Sequence, residues 1–307
     1  MTSAEERTYQ VLRLLVRWMA RIPLPAGRFA GRLMGTLAAL APIPRLRVAL
    51  DNMRFCLGET QSERELKRLY GKMFRHFGQM LFEVPHILRF GGGRLDRYVV
   101  FEGEENLDRA MAPGKGAFVL TAHYGNWELM AAALAIRLHR PSIVARPLDF
   151  RPADRLLTEL RTLYGSEIIP KQRGMRRILA ALRKGKAVGI LMDQNVDWYD
   201  GAFVPFLGKT ACTNKGLALM ALKTRVPVLP VFSVRRPDGR YGIVIEPALE
   251  LQITGDKTRD VEDNTALFSK TISRFVRAHP DHWFWFHRRW KTANFCPLPA
   301  LKEGEPS

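Results

Sequence analysis

His123-Tyr124-Gly125-Asn126-Trp127-Glu128 sets an imidazole and a carboxylate five residues apart, a pairing suited to general-base chemistry. A neutral imidazole accepts a proton near pH 7. A carboxylate on its other ring nitrogen fixes the tautomer and steadies the imidazolium. Glu128 is the expected orienting partner, and the expected chemistry is group transfer or hydrolysis, with His123 deprotonating a hydroxyl that attacks an acyl carbonyl. No serine or cysteine nearby sits in a nucleophile-type turn, so direct attack is the simplest route. Spacing alone is weak: with 7 histidines and 30 acidic residues in 307, chance supplies roughly 0.7 such pairs. A hydrogen-bonded structural histidine is the competing reading.

The context adds weight. Residues 116–122 form an apolar run opened by glycine, which predicts a buried strand. Trp127 to Leu138 predicts a helix with Asn126 as its N-cap. From about Tyr98 onward, apolar runs at 117–122, 142–145, 187–192, 228–234 and 241–245 alternate with helical segments at 127–138, 152–164, 173–184 and 213–224. That rhythm predicts an α/β fold, a mostly parallel sheet flanked by helices, with room for an antiparallel edge. Ligands of such sheets bind beyond the carboxyl ends of the strands. His123, Arg146 and Asp193 all fall at such ends.

Each polar candidate carries two readings. Arg146 offers a planar fork of donors to a phosphate or carbonyl, or is a surface arginine. Arg173, with Lys171, Arg176 and Arg177, binds an acidic carrier or lipid headgroup, or opens a solvated helix. Asp193-Gln194 contacts substrate, the aspartate orienting a sugar hydroxyl, or caps a turn. An oxyanion is expected to meet N–H groups at the start of the 127–138 helix, or an arginine.

The charge points to the partner. A chain of 307 residues with 47% hydrophobic content buries a full core, yet carries a net charge of +18. Such a chain suits an anionic surface or an acidic partner. Cys56, Cys212 and Cys296 lie far apart, arguing against a zinc site or a disulfide framework and for a reducing compartment. No secretory signal is visible.

From Arg7 to Arg54 there are nine arginines and one acid, Asp51, interleaved with apolar residues. Arg13, Arg17 and Arg21 form one stripe of a helix, and Val11, Leu12, Leu15, Trp18, Met19 and Ile22 lie largely opposite. That is a basic amphipathic helix suited to lying in a membrane interface. The longest uncharged stretch that follows, Leu33 to Pro44, falls short of the roughly 18 to 20 residues of a bilayer span. The competing reading packs these helices on the core with their arginines in water. Large aliphatic residues between the arginines argue against nucleic acid. Ser62-Glu63-Arg64-Glu65 predicts a capping box opening a long helix, and Gly91-Gly92-Gly93 a hinge. The expected organisation is a membrane-associating helical region (1–95), an α/β domain (96–300) and a tail (301–307). The tryptophans of residues 282–291 suit a structural element near the membrane side.

The ordered set of motifs resembles the lipid A late acyltransferases, the lauroyl/myristoyl branch of the lysophospholipid acyltransferase superfamily. His123 and Glu128 match its His-x4-Asp/Glu block, and Arg146 the arginine of its second block. Asp193-Gln194 with Val204-Pro205-Phe206-Leu207-Gly208 resembles the third, and Pro227 with Pro230 the fourth. His287-Arg288-Arg289-Trp290-Lys291 resembles the C-terminal signature. The Phe-Pro-Glu-Gly-Thr motif of glycerol-phosphate members is absent, which favours the lipid A-type branch.

The resemblance implies an O-acyltransferase with an acyl-carrier-protein thioester as donor and a phosphorylated lipid A precursor as acceptor. It implies no metal or redox cofactor, and work at the cytoplasmic face of the cell inner membrane. Members often carry an N-terminal membrane span; here the arginines favour a helix lying on the surface. Two alternatives stay open: an acyl-CoA-dependent acyltransferase of another lipid or sugar, and a non-catalytic basic membrane-binding protein.

Overall fold

Helices α1 (Ser3–Met19), α2 (Leu24–Leu40), α3 (Pro44–Leu57) and α4 (Glu63–Glu83) precede the first strand. A computed structural model describes residues 2–91, 93–138 and 140–292, so Gly92, Cys296 and the expected tail lie outside the described residues. Both α1 and α4 open with capping boxes, Thr2 with Glu5 and Ser62 with Glu65. Helix α2 lies against α4 almost backbone to backbone. A Cβ on Gly31 would sit 2.7 Å from Gln79 Cα, so only glycine allows this approach.

The apolar face of α1 points outward. Val11, Leu14, Leu15 and Trp18 are exposed, as are Phe29, Leu33, Leu37 and Leu40 of α2, the last at 76%. Tyr9 and Met19 are the buried positions of α1. Among the described residues no single helix is long and apolar enough to cross a membrane. Helices α2 and α3 meet that test only jointly, and they are bent by 88°.

The remainder alternates as predicted. It comprises β1 (Val99–Glu102), α5 (Glu104–Met111), β2 (Ala117–Thr121), α6 (Trp127–Leu138), β3 (Ser142–Ala145), α7 (Arg151–Thr162), β4 (Glu167–Pro170), α8 (Met175–Arg183) and β5 (Ala187–Leu191). Then follow β6 (Gly201–Phe206), β7 (Lys209–Asn214), α9 (Gly216–Thr224), β8 (Val228–Arg235), β9 (Tyr241–Ile245) and α10 (Lys257–Ala278). Seven strands form one sheet in the order β1-β9-β8-β2-β5-β3-β4, and β6–β7 form a separate hairpin.

Every pairing in the large sheet is parallel except β8–β9. The antiparallel strand β9 lies one place inside the edge, which β1 covers in parallel. Helices bury both faces of such a sheet, so β2 is buried at every position and apolar from Ala117 to Leu120 rather than alternating with polar residues. Phe118 and Leu120 pack with α3, α4, α9 and α10, whereas Ala117 and Val119 pack with α5 and α6. Ala49, Met53, Leu66 and Met73 share the core of Phe118, so α3 and α4 build the wall behind the sheet. The tryptophans of the C-terminal segment face inward: Trp283 and Trp285 are fully buried in this core.

Candidate active site

Strands β2 and β5 are parallel neighbours with Thr121 opposite Leu191. Each chain runs two residues past that pair, one reaching His123 and the other Asp193. His123 Nδ1 lies 2.9 Å from Asp193 Oδ1, and the His123 main-chain N–H donates to Asp193 Oδ2 at 3.0 Å. The carboxylate therefore accepts a hydrogen bond from Nδ1–H, which keeps the ring proton there and leaves the Nε2 lone pair to act as a base. Trp283 Nε1–H donates to Asp193 Oδ2 at 2.7 Å. Burial pushes the Asp193 carboxyl up, but the His123 ring, the indole and the main-chain N–H outweigh it and hold the group down at about 2. Asp193 is a fixed anion beneath the imidazole. Its bonds are filled by protein, which departs from the expected contact with a sugar hydroxyl.

Glu128 does not orient His123. It sits in the first turn of α6 and turns away to Arg161 of α7, whose Nε donates to Glu128 Oε2 at 2.8 Å. Trp127 Nε1–H donates to Glu128 Oε1 at 2.9 Å. Burial works against the Arg161 charge, but the Glu128 carboxylate more than offsets it and raises the guanidinium above its ordinary range. A buried pair is costly to half-remove. Arg161→Met, which strands the Glu128 carboxylate, is expected to cost about 3 kcal/mol, measured as a fall in the denaturant midpoint at unchanged slope.

The loop between β2 and α6 is anchored on every side. Asn126 Oδ1 accepts the Leu129 N–H at 3.1 Å, as expected of an N-cap. Gly125 has φ +61°, and a Cβ there would press into the Ser233 carbonyl of β8. Gln194 Nε2 stands 3.5 Å from His123 Nε2, so the amide faces the base's free lone pair. Behind this loop Arg289, fully buried, donates to the carbonyls of Cys212 and Gln194.

Arg146 and Arg173 are not drawn to the imidazole. Arg146 is exposed beyond β3 and pairs with Asp149 at 2.5 Å. Arg173 is exposed beyond β4 with φ +55°. Their strands pair with Ala145 opposite Pro170, and β3 also pairs with β5. The Lys171 N–H donates to Ala145 O at 2.9 Å. Arg146, Lys171 and Arg173 thus form a basic rim along the sheet edge that holds the His123–Asp193 dyad.

An apolar pocket lies beside the dyad between α6 and the sheet. Val119, Met130, Ala131, Leu134, Leu138, Ile143 and Leu191 line it, with Trp127, Glu128 and Arg161. Trp127 is shared with the dyad, its ring centroid 5.2 Å from that of His123.

His287 is a neighbour the sequence did not single out for chemistry. Its Nδ1 accepts the Asn195 N–H at 3.4 Å, placing its proton on Nε2. Burial depresses its basicity to about 4; Asp193 opposes that, while Arg289, His123 and Lys171 reinforce it. Arg161 was likewise not singled out by the sequence, because its partner Glu128 lies 33 residues away on another helix.

The family model described as bacterial lipid A biosynthesis acyltransferase matches residues 7–292. The chain is 26% identical to the lipid A biosynthesis palmitoleoyltransferase of Escherichia coli (strain K12), over 90% of this chain and 89% of that one. It is 27% identical to the lauroyltransferase of the same organism over the same shares. The phosphatidylinositol mannoside acyltransferase of Mycobacterium tuberculosis (strain ATCC 25618 / H37Rv) is 26% identical over 84% of this chain and 74% of its own length.

Proposed function

The chain belongs to the bacterial lipid A biosynthesis acyltransferase family, and from that premise we propose that it moves a fatty acyl chain from an acyl-carrier-protein thioester to a hydroxyl of a lipid A precursor or related phosphorylated membrane glycolipid. The observation that carries this reading is the His123–Asp193 dyad, with its base nitrogen free, beside an apolar pocket. His123 Nε2 takes the acceptor's hydroxyl proton as the oxygen attacks the thioester carbonyl. A C–O bond forms and the carbonyl electrons move onto oxygen. As the tetrahedral intermediate collapses, the C–S bond breaks, and the thiolate leaves with the proton now on His123. The balance needs no redox partner. Asp193 stabilises the imidazolium in between. The acyl chain occupies the pocket beside Trp127, and the first N–H groups of α6 face the oxyanion.

Arg146 and Arg173, with Lys171, are the cations assigned to the acceptor's phosphates, as planar forks or point charges at the rim. Relatives named for lipid A and for phosphatidylinositol mannoside both act on glycolipids, which suits such a rim. The exposed apolar face of α1 and α2 seats the enzyme on the cytoplasmic face of the inner membrane, with nearby arginines on anionic headgroups. Leu37→Glu with Leu40→Glu should release the protein from anionic vesicles in a sedimentation assay, with the melting temperature unchanged because both side chains face solvent. Wild-type binding should weaken with salt.

The test of function offers purified protein an acyl-carrier-protein thioester or the matching acyl-CoA, with a lipid A precursor, and weighs the product. One acyl group added, faster from the carrier protein, is expected. Equal or faster transfer from acyl-CoA would overturn the donor, and no transfer from either would overturn the reading.

A further inference from the structure

Residues 282–284 do two things at once. Their main chain grips the catalytic loop: the Gly125 N–H donates to His282 O and the Phe284 N–H donates to His123 O, both at 2.9 Å, with Tyr124 bridged to Trp283. From the middle of this strip the Trp283 indole reaches across to the other strand end and donates to Asp193 Oδ2 at 2.7 Å. The ring is fully buried and held by Trp285, at 4.7 Å between centroids, and Phe206, at 5.1 Å. One residue therefore ties the His123 loop and the Asp193 carboxylate into a single frame.

We propose that Trp283 is a positioning residue for the transfer, whose indole N–H fixes the Asp193 carboxylate in the orientation that presents Oδ1 to His123 Nδ1. The proposal rests on His123 acting as the base. Without the indole, Oδ2 keeps only the His123 main-chain N–H, and the carboxylate torsion about Cβ–Cγ is held by His123 alone. A charge-assisted bond from a neutral donor is worth enough to hold that torsion. The indole does this from the buried side of the dyad, Trp283 being fully buried and Asp193 nearly so.

Trp283→Phe keeps the buried ring and removes the donor. Trp285→Phe is the matched control, because Trp285 is equally buried but its Nε1–H donates to Pro280 O instead. In Trp283→Phe, kcat is expected to fall about 10- to 100-fold with the acceptor KM within about twofold, and Trp285→Phe to stay near wild type. In labelled protein the downfield His123 Nδ1–H proton resonance should shift or broaden in Trp283→Phe and persist in Trp285→Phe. Should Trp283→Phe not fold, Asp193→Asn supplies the same test: the Trp283 indole resonance moves and that of Trp285 does not. Wild-type kcat and an unmoved His123 resonance in a folded Trp283→Phe would overturn the proposal, as would an unmoved Trp283 indole in Asp193→Asn. Wild-type turnover in a folded His123→Ala would instead sink the base assignment on which it rests.

Discussion

His123→Ala is expected to lower turnover by at least roughly 10²-fold while leaving the fold intact. The ring is partly exposed at 23%, and it packs edge-on to Trp127 rather than filling the core. Its removal therefore takes away a base more than it opens a cavity. The loop it leaves behind keeps its main-chain bonds to Asp193, His282 and Phe284. A melting temperature within a few degrees of wild type, alongside the loss in kcat, is the outcome that separates chemistry from stability. A similar loss in kcat with a collapsed melting curve would return His123 to a structural role.

Asp193→Asn carries the second large effect, a fall in kcat of about 10³- to 10⁴-fold, because an amide no longer fixes the proton on Nδ1 or steadies the imidazolium. The same substitution changes stability with a defined sign. Asp193 titrates near 2 in the fold against an ordinary 3.8, so the folded state favours the anion. That contribution, about 2 kcal/mol, is present in full above about pH 4 and is lost as pH falls toward 2. Wild type should lose stability across that window more steeply than Asp193→Asn, as read by denaturant midpoints at each pH. Glu128→Gln should behave differently. It weakens the Arg161 pair and the pocket wall, lowering stability and activity without altering the form of the pH–rate profile.

The contrast between these two carboxylates shows what the sequence made visible. Strands at 117–121, 142–145 and 187–191 were legible because buried parallel strands are continuous apolar runs between turn residues. The Ser62 capping box and the Asn126 cap were legible because capping is local. The partner of His123 was not, because the pairing spans 70 residues. Spacing along the chain favoured Glu128, whereas the first turn of α6 carries that side chain toward α7. The one usable signal was symmetry. His123 and Asp193 stand the same two residues beyond paired positions of adjacent strands, which becomes informative only once β2 and β5 are known to be neighbours.

The hairpin of β6 and β7 was hidden for a different reason. Its two-residue turn has positive φ at both Leu207 and Gly208, a conformation that usually announces itself as Asn-Gly or Asp-Gly. Leucine is held there by burial and by Ser273 Oγ, which accepts its N–H at 3.0 Å. Strand β4 was hidden by brevity, four residues ending in proline. The C-terminal tryptophans suggested a structural element near the membrane side, and tertiary packing makes two of them part of the core behind the dyad.

The most direct test of His123 as the base is a single-turnover measurement of acyl transfer to the lipid A precursor by wild type and His123→Ala, followed by mass spectrometry. Wild type is expected to add the mass of one acyl group within the reaction window, and His123→Ala, equally folded, to add none at that time. The same mass gain at the same rate in both proteins would contradict that role.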